Sequence, residues 1–191
     1  MRIGVVSDIH CNAPALERAL ELMGPIDRLF ALGDIIDEFR FSERVVAMLR
    51  AHDALTICGN HEQVFFNGGG AEGRLRNVAD KELAEWLAER PSRAEVEVLG
   101  KRLLLVHATP WPSRYDYVPP HAPAFSRFDE ADADIVFYGH THEPVIRQLG
   151  STLVINPGSV GVGRPRQQGF VQSCAVLDVS SMEAQILDFQ V

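Results

Sequence analysis

The chain predicts an α/β fold of two packed sheets with helices outside. Three observations carry that reading: strand-then-helix units recur through the first half, hairpin-spaced strands dominate the second, and short polar motifs each follow an apolar strand-like run. The motifs are Asp8-Ile9-His10, Gly33-Asp34, Gly59-Asn60-His61, His107 and Gly139-His140-Thr141-His142.

Taken in order, Arg2-Ile3-Gly4-Val5-Val6-Ser7 is a short β-branched run. Asn12 and Pro14 then supply a cap and a first-turn proline for a helix through Leu16, Leu20 and Met23. Leu29-Phe30-Ala31-Leu32 leads to Gly33-Asp34, a helix covers 42–50, and Ala54-Leu55-Thr56-Ile57-Cys58 leads to Gly59-Asn60-His61. Repeated units of this kind favour mainly parallel strands, whose carboxyl ends are where α/β proteins place their sites. Glycines clustered in 67–73 predict a flexible loop, and 80–90 an amphipathic helix stopped by Pro91. Val96-Glu97-Val98 and Leu103-Leu104-Leu105-Val106 flank one turn at Leu99-Gly100-Lys101. Val145-Ile146-Arg147 and Leu153-Val154-Ile155 flank another at Gly150, and 174–179 and 184–189 supply two last strands. The segment 109–123, with its prolines and Trp111, Tyr115 and Tyr117, predicts an ordered loop rather than a linker. With no internal repeat or boundary linker, 1–191 is expected to form one domain.

Composition narrows the function. Lys+Arg 18 against Asp+Glu 26 gives a net charge of −8, which repels a phosphate backbone and argues against general nucleic-acid binding. No apolar stretch reaches the roughly 20 residues a membrane span needs, and no signal-type start precedes the first strand, so a cytoplasmic protein without membrane contact is expected. The three cysteines, Cys11, Cys58 and Cys174, are odd in number and lack CxxC spacing, so they suggest neither a disulfide framework nor a zinc ribbon. Homo-oligomerisation is left open.

Any one motif alone reads as a capping or hydrogen-bonding residue. Together they gather five of the seven histidines at strand ends, and Asp, Asn and His converging on one spot are what a pair of divalent transition metals requires. The absence of thiolates argues against a structural zinc site.

Ser7-Asp8-Ile9-His10, Gly33-Asp34-Ile35-Ile36-Asp37, Gly59-Asn60-His61-Glu62, Val106-His107 and Gly139-His140-Thr141-His142, in that order, resemble the calcineurin-like metallophosphoesterase superfamily. Asn156-Pro157-Gly158-Ser159-Val160-Gly161 and the short chain look like its YfcE-type phosphodiesterase branch. The resemblance implies an αββα four-layer sandwich. It implies that Asp8, His10 and His142 bind one metal, that Asn60, His107 and His140 bind the other, and that Asp34 bridges them. Mn²⁺ is the first choice, with Ni²⁺, Fe²⁺, Co²⁺ and Zn²⁺ also suited to these donors. Two such ions make an electropositive island in an acidic protein, able to attract a small phosphate ester or nucleotide. A hydroxide held between them can attack phosphorus. The resemblance assigns His61 to protonating the leaving oxygen, a role that suits a histidine near neutral pH.

Two positions depart from the branch. Glu62 stands where Asp usually partners the catalytic histidine; it can still orient His61, and it also brings in a protein or dinucleoside-polyphosphate phosphatase as an alternative. Against the protein phosphatase, Asp37-Glu38-Phe39 lacks the Asp-Arg-Gly sequence. Cys11 replaces a customary Gly, either as passive packing or as an oxidation-sensitive thiol. A non-enzymatic, Vps29-like scaffold is the other alternative, and such a scaffold is expected to lose His61. Several residues carry two readings each: Asn12 as helix cap or substrate contact, Gly158 to Gly161 as close backbone approach or turn, Arg164 and Arg166 as phosphate contacts or solvated surface, and Tyr115, Tyr117 and His121 as pocket walls or loop packing.

Overall fold

The computed structural model describes residues 1–112, 115–167 and 169–191. The first half alternates strands and helices: β1 (Arg2–Val6), α1 (Ala13–Met23), β2 (Arg28–Ala31), α2 (Glu43–Ala51) and β3 (Leu55–Thr56), followed by α3 (Asn60–Asn67), α4 (Ala71–Asn77) and α5 (Lys81–Ala88). The second half is mostly strand: β4 (Arg93–Val98), β5 (Lys101–Val106), a 3₁₀ helix (Pro123–Glu130), β6 (Ile135–Phe137), β7 (Val145–Leu149), β8 (Thr152–Asn156), β9 (Arg164–Arg166), β10 (Gly169–Asp178) and β11 (Glu183–Phe189). No helix among the described residues is long and apolar enough to cross a membrane.

Two mixed sheets result. The first has the order β11-β10-β1-β2-β3, with β9 on β10; β1, β2 and β3 are parallel, and β10 is antiparallel to β1. The second has the order β4-β5-β6-β8-β7, parallel through β5, β6 and β8 and closed by antiparallel edges.

Strand periodicity explains why the sheets stack. Along β1, Ile3 and Val5 enter the layer between the sheets while Val6 faces the helices; Phe30 and Leu32 against Leu29 and Ala31 repeat the alternation in and just after β2. In the second sheet Leu103, Leu105, Ile135, Phe137 and Ile155 meet the first sheet, and Leu104, Val106, Val136, Tyr138 and Val154 face outward onto the 3₁₀ helix. Each fully buried Leu, Ile or Phe contributes about 1.5–3 kcal/mol of transfer free energy. The expected helix-sheet-sheet-helix order is present, although the 3₁₀ helix is the helical element covering the second sheet among the described residues.

The expected loop at 67–73 is in part helical, because α4 starts at Ala71. Cations order this stretch: Arg74 donates to the Phe65 carbonyl at 3.0 Å and the Gly69 carbonyl at 2.7 Å, and Lys81 donates to Val78 at 2.6 Å, satisfying helix-end carbonyls. Of the expected ordered loop 109–123, residues 113 and 114 lie outside the described residues.

Candidate metal centre

The polar motifs occupy the carboxyl ends of parallel strands in both sheets. Asp8 and His10 follow β1, Asp34 follows β2, Asn60 and His61 follow β3, His107 follows β5, and His140 and His142 follow β6. The turns that aim them are tight: Asp8, His10, Asp34, His140 and His142, with Cys11 beside them, all have positive φ, between 47° and 64°. Left-handed backbone at residues other than Gly costs about 1–3 kcal/mol each and persists only where surrounding structure enforces it. Backbone bonds provide that enforcement. Asp8 N–H donates to Gly33 O at 3.0 Å and His10 N–H to Asp34 O at 3.0 Å. Val160 N–H and Gly161 N–H donate to Ser7 O and Asp8 O at 3.0 and 2.9 Å. Gly161 approaches so closely that a Cβ there would lie 2.1 Å from Ile9 O, so the glycine at the end of the 158–161 stretch serves close backbone approach.

The donor atoms converge into connected sets. Among the described residues, Asp8, His10 and His142 form one triad, Asp34, His107 and His140 another, and His10, Asp34 and His61 join them, with the ligand atoms of each set within 4.8 Å of one another. His10 Nε2 and His142 Nε2 face each other at 3.4 Å, and His107 Nε2 lies 3.3 Å from Asp34 Oδ2 and 3.1 Å from Asn60 Oδ1. Asp8 Oδ1 is fully buried and accepts no hydrogen bond; His142 Nε2 stands 3.2 Å away, close enough for charge but not aligned. A buried, unpartnered carboxylate oxygen facing imidazole nitrogens fits a cation-binding role and is costly otherwise.

Partners behind the rings set their tautomers. His107 Nδ1 donates to Leu32 O at 2.7 Å, and His10 Nδ1 lies 3.3 Å from Asp37 Oδ1, so each keeps Nε2 for the centre. His140 is reversed: Nε2 donates to Tyr115 O at 3.2 Å, leaving Nδ1 inward. Burial lowers the pKa of His10 and, with His107 nearby, that of His140, favouring the neutral ligand form. Burial opposes the charge on His107 and His142 as well, but the Asp34 carboxylate raises His107 to about 9, and Asp8 raises His142. Asp34 is likewise buried, yet His107 and His61 hold its carboxyl below the usual carboxylate range.

His61 lines the open cleft above these donors, with Nε2 3.7 Å from Asp34 Oδ2 and its ring edge-on to His10 at 4.7 Å. The hydrogen bonds of Glu62 go to the backbone rather than to His61. The Glu62 carboxylate is buried and accepts four backbone N–H groups, from Asp34, Ile35, Ile36 and Gly59; the length that distinguishes Glu from Asp carries it into the backbone. Burial and the Asp34 charge push its pKa up to about 7, against the amides that favour the carboxylate. Gly59 shares this tight corner, where a Cβ would sit 2.2 Å from Asp34 Oδ1.

Other expectations sort by location. Cys11 lines the cleft, but its thiol donates to Arg40 O at 3.2 Å and burial pushes it up to about 11, which favours packing over reactivity. Asn12 caps α1 through Ala15 N–H and also donates to Gly161 O. Arg164 is engaged by Ser173 and Asp188 in the neighbourhood of β10 and β11, while Arg166 is exposed on β9; neither lines the cleft. His121 stands exposed near Glu143. Tyr117 lies over His140 and lines the cleft. Asp37, behind His10, and Arg40, paired with Asp37 at the cleft, had no role assigned from sequence; Asp37 lay inside a quoted motif and was the available signal.

Comparison with known proteins agrees with this geometry. Residues 1–182 match the calcineurin-like phosphoesterase superfamily domain. Phosphodiesterase YfcE of Escherichia coli is 28% identical, over 100% of this chain and 97% of its own. A metallophosphoesterase from Sphaerobacter thermophilus shares the fold with a TM-score of 0.78 at 23% identity, over 100% of this chain and 89% of that one. Vps29 of Entamoeba histolytica, solved with Zn²⁺, shares it with a TM-score of 0.59 at 17% identity over the full length of both. With the family's domain spanning nearly the whole chain and polar clusters able to hold metal at its strand ends, the chain belongs to the calcineurin-like phosphoesterase superfamily and to its class of phosphoric ester hydrolases.

Proposed function

We propose that the chain is a dinuclear-metal phosphodiesterase acting on a small phosphate ester or nucleotide. The observation that carries this is the pair of donor triads, connected where Asp34 is also grouped with His10, with the buried Asp8 Oδ1 3.2 Å from His142 Nε2. Asp8, His10 and His142 hold one divalent ion, Asn60, His107 and His140 the other, and Asp34 belongs to both. Mn²⁺ is favoured, and Ni²⁺, Fe²⁺, Co²⁺ and Zn²⁺ also suit carboxylate, imidazole and amide donors. Bound ions would supply Lewis acidity toward phosphoryl oxygens and an acidified water as nucleophile.

The chain's own residues do the rest. Asp37, Leu32 O and Tyr115 O fix which nitrogen His10, His107 and His140 present. His61, half-buried in the cleft wall and held by its backbone N–H to Asp34 Oδ1 at 3.0 Å, gives a proton to the leaving oxygen. Its presence supports an enzyme over a Vps29-like scaffold. Glu62 sits out of the cleft and gives no reason to prefer a protein or dinucleoside-polyphosphate phosphatase. The YfcE relative's name supports diester over monoester hydrolysis.

The test is direct. Protein supplied with Mn²⁺ or Ni²⁺ should hydrolyse bis-p-nitrophenyl phosphate, and His61→Ala should lower kcat by about 100-fold with its metal content unchanged. No turnover across a broad panel of metals and phosphate esters overturns the proposal.

A further inference from the structure

The donor floor accounts for only part of the cleft. Its volume, about 630 Å³, falls among sites that enclose a whole small organic molecule rather than a bare phosphate. Above the floor stands Tyr117, 71% exposed although it is a large aromatic. Its ring lies on His140 with centroids 4.0 Å apart and planes tilted by 36°. One face is therefore occupied by a ligand ring while much of the side chain stays open to the cleft. Val162, 45% exposed, and Pro14 also line the cleft, alongside Asp37 and Arg40. A wet aromatic face over a reaction centre gains free energy when a second flat ring covers it.

We infer that the substrate carries an aromatic ring, aryl or nucleobase, on the arm that stays on phosphorus, and that this ring stacks on Tyr117. This rests on the phosphodiesterase reading and deepens it. His61 packs on His10, in one donor triad, and Tyr117 packs on His140, in the other. An ester whose leaving oxygen meets His61 thus offers its retained arm to Tyr117.

Three diesters with the same p-nitrophenolate leaving group test this: the methyl, phenyl and thymidine 5′ esters of p-nitrophenyl phosphate. The wild type should show kcat/KM about tenfold or more higher for a ring-bearing ester than for the methyl ester, the range that base stacking on an aromatic supplies. Tyr117→Ala should bring that ratio close to one, and Tyr117→Phe should restore it. Phenylphosphonate should bind more tightly than methylphosphonate by calorimetry, with the same dependence on residue 117. Equal gains for phenyl and thymidine assign a plain aryl ring, and a larger gain for thymidine assigns a nucleoside. A wild-type ratio near one, or an equal loss on all three esters in Tyr117→Ala, overturns the stacking role while leaving the phosphodiesterase reading intact. No turnover of any ester, with metal supplied, overturns both.

Discussion

Glu62 follows His61 directly, and as a motif reads as its partner, yet the side chain serves the backbone. Oε2 accepts from Asp34 at 2.9 Å and Gly59 at 2.7 Å, and Oε1 from Ile35 at 2.8 Å and Ile36 at 3.0 Å. It ties the loop that carries Asp34 to the start of α3, so its influence on chemistry passes through the position of Asp34. Glu62→Gln swaps one acceptor oxygen for an NH₂ and strands two buried amides, at about 1–3 kcal/mol each. Denaturant unfolding should show a loss of about 3 kcal/mol, and Mn²⁺ titration a weaker affinity; a variant that matches the wild type in both would refute the clamp. At this scale the donor types were legible because Asp, Asn and His after strands are few and chemically distinctive. What those donors lean on was not: Asp37 reaches His10 across 27 residues of chain, Leu32 O reaches His107 across 75, and Tyr115 O reaches His140. Backbone carbonyls carry no sequence signature.

The elements that were legible are those whose apolar period is set by burial on two faces. β1, β5 and β8 alternate between the inter-sheet layer and an outer layer, and their residues show it. α4 and the 3₁₀ helix were hidden because tertiary contacts make them: Arg74 and Lys81 gather carbonyls around α4, and Phe125 and Phe128 anchor the 3₁₀ turn on Tyr138. β9 is three residues containing a proline and exists by pairing with β10. α1 shows how an element and the centre are joined. Asn12 Oδ1 accepts from Ala15 N–H at 3.2 Å, and its Nδ2 donates to Gly161 O at 3.2 Å, next to the loop that holds Asp8. Asn12→Ala should therefore cost about 1 kcal/mol from the lost cap, with Asn12→Ser recovering most of it in thermal unfolding. If Ala and Ser variants unfold alike, the cap contributes nothing and the Gly161 bond carries the effect.

For the molecule as a whole, the centre is a joint between two sheets. The first sheet supplies Asp8, His10, Asp34 and Asn60, and the second supplies His107, His140 and His142. A metal held from both sides, as proposed, would stabilise the packed state by mass action, about 2.7 kcal/mol when free metal is a hundred times its Kd, and chelation should lower the unfolding midpoint accordingly. The pH dependence follows from His107. In the metal-free protein its pKa rises from 6.5 to about 9, because the attraction of Asp34 outweighs the burial that would lower it. A raised pKa means the folded chain holds the proton more tightly than the unfolded chain does. That contribution to stability is complete below about 6.5 and is lost as pH climbs through about 9. Under the proposed ligand assignment metal competes with the same proton, so its affinity should climb over the interval in which the metal-free protein weakens. Thermal unfolding with chelator and with Mn²⁺, measured from pH 6 to 10, should give two curves that diverge as pH rises. Parallel curves would show that the proton and the metal do not share His107.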